Sequence, residues 1–314
     1  MPLFGRNRPA QPTDEELRAA EVDLERIRQG GIPLGAEQRL KRVASASAPF
    51  FTSDLSAKEY ALAQASGLKP VAQVMGSSVV QHGWLRGQGL YYQTGEIRAL
   101  AEPWNLARER AFGRLEQEAA FAGADGVIGI EINSSTIGDA GNVELVVFGT
   151  AVRDSTLPQQ RSGQLAMCTL SGQEVDKLRR IGAEIRGVVG YTTVLSVQLS
   201  AGSSWVMNSS GGLLGGAGSR INTEITEIAE GVYDARNRVM LEVRRQANAV
   251  EANNIVISTL RHTIEHFEYE QAGGYRYDYF HVTMNVLGTA IRLGARAPHP
   301  TPLSGPVMSI NLGD

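Results

Sequence analysis

Apolar residues recur at every fourth position along two stretches of the chain. Ala107, Ala111, Leu115 and Ala119 form one stripe, and Ala235, Val239, Val243 and Ala247 form the other. A four-residue step keeps side chains on one face of a helix, so each stretch predicts an amphipathic helix laid on a sheet. The first stripe leads the second by 128 residues, since 235 − 107 = 128, and the offset persists into the β-like segments that follow, Val127-Ile128-Gly129-Ile130 and Ile255-Val256-Ile257-Ser258. A long match at one offset is what duplication of a folded unit leaves behind.

The pattern around the two helices is also shared. Ser56-Ala57-Lys58-Glu59 has capping-box spacing, Ser171-Gly172-Gln173-Glu174 repeats it, and Gly67 and Gly182 stop the short helices that these residues start. An apolar strand follows in each copy, with Gly76 in one and Gly190 in the other; a recurring glycine inside a strand favours a geometric role. Downstream of each long helix come two strands. The first pair runs over 127–132 and 143–152, and the second over 255–270 and 275–292 with a turn at Gln271-Ala272-Gly273-Gly274. Phe280, Val282, Met284 and Val286 alternate inward, leaving Tyr275, Tyr277, Tyr279 and His281 on the opposite face. Both copies close alike, as Gly149-Thr150-Ala151-Val152 and Gly288-Thr289-Ala290-Ile291.

Ahead of the repeats, Thr13-Asp14-Glu15-Glu16 caps a helix whose stripe is Leu17, Ala20, Leu24 and Ile27; Gly30, Gly31 and Pro33 end it. A second helix over 36–46 turns Leu40 and Val43 inward. These form an arm that packs on the first domain or docks a partner. The tail is proline-rich between Pro298 and Pro306 and is a second candidate for partner binding. The predicted order is leader and arm over 1–49, a first domain over 50–155, a linker over 156–166, a second domain with a long hairpin over 167–293, and the tail over 294–314.

Composition narrows the function classes. A chain of 314 residues is comfortable for two cores, and 42% hydrophobic with 20% charged residues is globular. No apolar run has the length of a membrane span. Basic residues near the start are not followed by an apolar run, and the single cysteine, Cys168, cannot form an internal disulfide; a cytoplasmic protein is expected. The net charge of −3 supplies no basic field for nucleic acid.

Several segments invite chemistry. The Gly/Ser-rich stretch 209–220 lacks the Gly-Lys-Ser/Thr ending of a phosphate loop and reads as a connector. Arg108, Arg110, Arg236 and Arg238 flank the helix stripes and read as a solvated or subunit-facing surface. His262-Thr263-Ile264-Glu265-His266 has the spacing of some zinc peptidases, but that motif needs a helix, and the repeat places these residues in a strand. Residues four apart in a strand are separated by about 13 Å. With a two- or four-residue turn, His281 returns on the face of His262 and His266, so these three histidines are the candidate ligands of a divalent metal. No other cofactor is expected. Ser77 and Ser78 have no nominated base, and a non-enzymatic protein is expected.

The strand with Val-x-Gly, the Ala/Arg-rich helix, Gly123-Ala124-Asp125-Gly126-Val127-Ile128-Gly129-Ile130 and the closing Gly-Thr-Ala-Val together resemble the YbjQ family, also labelled a heavy-metal-binding domain. The second copy departs with Glu251-Ala252-Asn253-Asn254-Ile255 but keeps Gly288-Thr289-Ala290-Ile291. The resemblance implies an α+β fold of two tandem β-α-β-β, dodecin-like domains. It also implies homo-oligomeric rings such as pentamers. The expected function is an assembly or binding scaffold, with metal or small-ligand binding at the second hairpin or the ring cavity as the alternative.

Overall fold

The computed structural model describes residues 13–45, 55–81, 94–137, 142–154, 165–208, 224–271 and 275–294. The elements in chain order are α1 (Asp14–Arg28), α2 (Leu34–Ser45), α3 (Ala57–Ala65), β1 (Leu68–Val80), β2 (Gly95–Glu96), α4 (Arg98–Phe121), β3 (Gly126–Ile137) and β4 (Asn142–Asp154). They continue with β5 (Ala166–Met167), α5 (Gly172–Arg180), β6 (Ala183–Gln198), α6 (Ala201–Asn208), α7 (Thr226–Ala249), β7 (Asn254–Gln271) and β8 (Tyr275–Leu293). The mixture of helices and sheets is α+β, with a helical region at the N-terminal side, as the sequence predicts.

The 128-residue offset recurs in the structure. Helices α4 and α7 have 24 residues each, and 226 − 98 and 249 − 121 both equal 128. Their predicted stripes are buried in full: Ala107, Ala111, Leu115 and Ala119 in one, and Ala235, Val239, Val243 and Ala247 in the other. Helices α3 and α5 both carry complete capping boxes, at Ser56 with Glu59 and at Ser171 with Glu174, 115 residues apart. Gly67 and Gly182 then reverse the chain at φ 80° and 72°, a region that glycine enters without a Cβ clash.

Chain exits from the two long helices are built the same way. The Asp125 N–H donates to the Val152 carbonyl, and the Asn253 N–H donates to that of Ile291. The side chain of Asp125 accepts from the Asp154 N–H, and that of Asn253 accepts from Leu293 N–H. The Asp-to-Asn difference between copies therefore preserves the acceptor. Each hairpin also carries a bulge early in its first strand, after Ile128 and after Ile257. Gly149 and Gly288 stand opposite, where a Cβ would come within 2.9 Å of Val127 and 2.6 Å of the Val256 carbonyl oxygen.

The chain forms two compact units that are not contiguous halves: the second takes Leu55–Leu68 and Leu85–Ala101 along with Ala166–Asp314. This differs from the expected division at residues 50–155 and 167–293. The reason is visible in α3, whose Ala63 lies 3.1 Å from where a Cβ on Gly172 of α5 would be. Two short helices of matching build pack together, so the first copy's helix belongs to the second unit. Strand β2 likewise pairs with β6, Gly95 opposite Ser196.

In the first unit the strand order is β1-β4-β3. The arm is fastened to α4 of this unit largely by polar contacts: Arg114 donates to the Ile27 carbonyl at 2.9 Å and to that of Ser77, and Gln117 donates to Gly30 at 3.1 Å. Arg39 approaches the buried Glu118 at 3.6 Å, and Lys41 lies over the Phe121 ring. Leu40 and Ile32 are buried, whereas Leu17 and Leu24 of the predicted α1 stripe stay exposed. The arm thus packs on the first domain while Leu17, Ala20 and Leu24 of that stripe stay in solvent and Ile27 is half-buried.

In the second unit the order is β2-β6-β8-β7. Helix α7 packs over β6 and β8, joining Val239 and Val243 to Leu195, Val197, Phe280, Val282, Met284 and Val286. Among the described residues, β7 adds only Ile255 to that core. Among the described residues, strand β7 is therefore a long edge strand with a largely uncovered face.

Candidate functional site

The β7–β8 hairpin decides which side chains can meet. Gln271 pairs with Tyr275, so the chain reverses over three residues rather than two or four, and partners along the outer half add to an even number. Even positions on β7 then share a face with even positions on β8, because side chains alternate across a strand. His262 stands opposite Met284 and His266 opposite Phe280, on the face that carries α7. His281 stands opposite Glu265 and belongs to the other face.

His281, expected beside His262 or His266, is thus not brought to either of them. His281 is buried, its ring 4.3 Å from that of Phe267. His262 shares the face of His266 but lies four strand positions away, about 13 Å. An odd-length turn moves His281 across the sheet, and this is the physical reason for the difference.

What the register does assemble is a different set around His266. Its Nε2 lies 2.9 Å from Oδ1 of Asp278, and its ring stacks on Phe280 with centroids 4.6 Å apart and 13° between planes. Glu268 is the cross-strand partner of Asp278. One ligand-type atom from each of His266, Glu268 and Asp278 falls within 4.8 Å of the others. Asp278 is 1% exposed, and its backbone carbonyl accepts from Leu199 N–H, tying the position to the end of β6. Histidine spacing alone does not point to Asp278 and Glu268. The signal that could have found them is strand parity with a three-residue turn.

A second polar group lies at the β2 edge. Glu96 accepts from Thr193 Oγ1 at 2.9 Å and lies 3.7 Å from Arg238 and from Arg98; Arg238 also bonds Asp234 at 3.0 Å. Of the four flanking arginines, Arg110 and Arg236 are exposed and Arg238 is intermediate. Arg108 departs from the expected surface role: it is buried and donates to Asn105 Oδ1 at 2.7 Å. Glu227, at the start of α7, is held down to a pKa of about 2 by the hydroxyls of Ser200 and Ser203. The Gly/Ser stretch 209–220 and the proline-rich tail lie outside the described residues.

Residues 68–155 match the sequence model of a family described as YbjQ, "Putative heavy-metal-binding". Among known proteins, the chain is 32% identical to an encapsulin nanocompartment protein of Mycobacterium tuberculosis over 212 residues, covering 66% of this chain and 76% of that protein. UPF0145 proteins of Colwellia psychrerythraea and Vibrio campbellii are 48% and 46% identical over 59 residues, 19% of this chain. That stretch covers 55% and 56% of those proteins, just over half their length. Residues 68–155 are a domain of the YbjQ (UPF0145) family.

The family description implies a heavy metal, and the donors present can be tested against it. Residues 68–155 contain one imidazole, His82, which lies outside the described residues, and no cysteine. A soft thiolate site does not fit that stretch. Among the described residues, the histidine-containing donor group is the one on the second hairpin.

Proposed function

We propose that the protein is a non-enzymatic, cytoplasmic structural subunit that self-assembles, with strand β7 as its principal joining edge. The second unit serves as a diverged copy of the family domain that supplies this edge. The observation that carries the reading is the 18-residue β7 at the end of its sheet, with Leu260 44% and Ile264 41% exposed. Both residues share the face of their partners Val286 and Val282, beyond the cover given by α7. Ile257 is also exposed, and Phe267 is exposed on the opposite face.

A long edge offers a row of unpaired backbone donors and acceptors, and natural monomers shorten, charge or cover such edges. A long edge that exposes Leu260 and Ile264 among its charged residues favours strand addition by a second copy, which would bury both while extending the ladder. The name of the Mycobacterium relative, a nanocompartment protein, supports a role in protein assemblies. No helix among the described residues is long and apolar enough to cross a membrane. Pairing of β7 with a different edge of the next copy closes a ring if the rotation permits, in keeping with the pentamers that the family resemblance implies.

Sedimentation tests the reading. Wild-type protein at micromolar concentration sediments as a multiple of the chain mass, and the Leu260→Lys, Ile264→Lys double variant as a smaller species with an unchanged circular dichroism spectrum. A monomeric wild type removes self-assembly from the account; an intact oligomer in the folded double variant removes β7 as its joint.

A further inference from the structure

We propose that His266, Glu268 and Asp278 form a binding site for one divalent transition-metal ion of the zinc type, built on the second hairpin outside the stretch that carries the family match. The site differs from the three-histidine set that spacing suggests, and it does not depend on assembly.

Three features of the hairpin carry it. Glu268 and Asp278 are direct cross-strand partners. Asp278 is 1% exposed, so its carboxylate is held in place at the base of the group, opposite Glu268. Next, the imidazole faces the same point: Nε2 of His266 lies 2.9 Å from Oδ1 of Asp278, and all three ligand atoms fall within 4.8 Å. Ligand atoms around an ion bound at about 2.0–2.2 Å are separated by about 3–4 Å, so closure needs side-chain movement on the order of 1 Å. Finally, the stacked Phe280 ring fixes the plane of the imidazole. Oriented ligands bind metal more tightly than free ones.

The donor set selects the ion. One imidazole nitrogen with two carboxylate oxygens suits zinc and its neighbours in the first transition row, and it lacks the sulfur that thiophilic ions prefer. Glu268 and His266 reach solvent while Asp278 does not, which leaves a side open for entry and for water as a further ligand.

The experiment uses the full chain without an affinity tag, stripped with chelator and titrated with zinc alone by calorimetry, with metal content measured after gel filtration. The proposal predicts one zinc per chain, with affinity falling at least about ten-fold in His266→Gln and in Glu268→Gln. His262→Ala and His82→Ala bind as wild type does. Asp278→Asn abolishes binding or, if removal of the buried carboxylate prevents folding, is replaced by the first two variants as the deciding pair. No zinc on the wild-type chain, full affinity in both glutamine variants, or loss of binding in His262→Ala or His82→Ala overturns the proposal.

Discussion

Gly76 and Ala111 stand so close that a Cβ on the glycine would lie 1.9 Å from the Ala111 carbonyl oxygen and 2.7 Å from the Leu115 nitrogen. Both neighbours are helix backbone, which cannot swing aside as a side chain can. The glycine in β1 therefore sets how near α4 lies to its sheet. Gly76→Ala is expected to lower stability by about 3 kcal/mol, the upper range for overpacking, as read from urea unfolding. Gly113, in the same helix with nothing within 4 Å of its would-be Cβ, is the control. Gly113→Ala should raise stability by about 0.5–1 kcal/mol.

Recurrence of glycine in the second copy has a different meaning from the one its sequence suggests. The Met75 N–H donates to Glu118 at 2.8 Å, and the Gly190 N–H donates to Gln246 at 3.0 Å. Since 246 − 118 = 128 matches the helix offset, Gly190 takes the place of Met75, and Tyr191 that of Gly76. Tyr191 packs against the core that contains Val239 and Val243. The second unit thus fills with side chains the space that the first closes by helix approach.

The same comparison makes Glu118→Gln informative. Burial pushes the Glu118 carboxyl above its ordinary range, against the Met75 N–H and Arg39, which pull it down. The folded state then holds its proton to higher pH than the unfolded chain does. Stability falls as pH rises from the ordinary value of 4.5 through the raised folded value, and the penalty persists above it. Glutamine keeps the acceptor, as Gln246 does, without the charge. Glu118→Gln is expected to be at least as stable as wild type at pH 7 and to lose its advantage once wild-type Glu118 is protonated. Denaturation midpoints at several pH values check this; a variant less stable than wild type at pH 7 would show that the Arg39 pair outweighs the desolvation.

Glu251 adopts φ 57° at the end of α7, where Gly123 has φ 66° at the end of α4. Left-handed backbone costs an L residue about 1–2 kcal/mol. Glu251 also pairs with Arg292 at 3.2 Å and Arg186 at 3.6 Å, and the largely exposed carboxylate keeps these pairs weak. Glu251→Gly is expected to raise the thermal midpoint, with a gain of up to about 1 kcal/mol after loss of the pairs. An equal or lower midpoint would show that the ion pairs carry the position.

Much of the architecture is readable in the sequence because it rests on local rules. Four-residue stripes, two capping boxes and two stopping glycines each specify their own element, and all are found where the pattern places them. The packing of α3 against α5 is not readable in the sequence, because it joins two helices far apart in the chain that no local rule links. The hairpin failed at one residue: a turn of three instead of two or four moves His281 to the opposite face and brings Asp278 beneath His266. Strand parity is that sensitive because its period is two.

Hydrogen exchange along β7 tests the central claim most directly. Every second backbone amide of that strand points away from β8 and has no partner in its own sheet. In the assembled protein these outward amides are predicted to exchange as slowly as those bonded to β8, and to become fast in the Leu260→Lys, Ile264→Lys variant. Outward amides that exchange as fast as those of loops, in wild-type protein whose mass is that of an oligomer, would contradict assembly through the β7 edge.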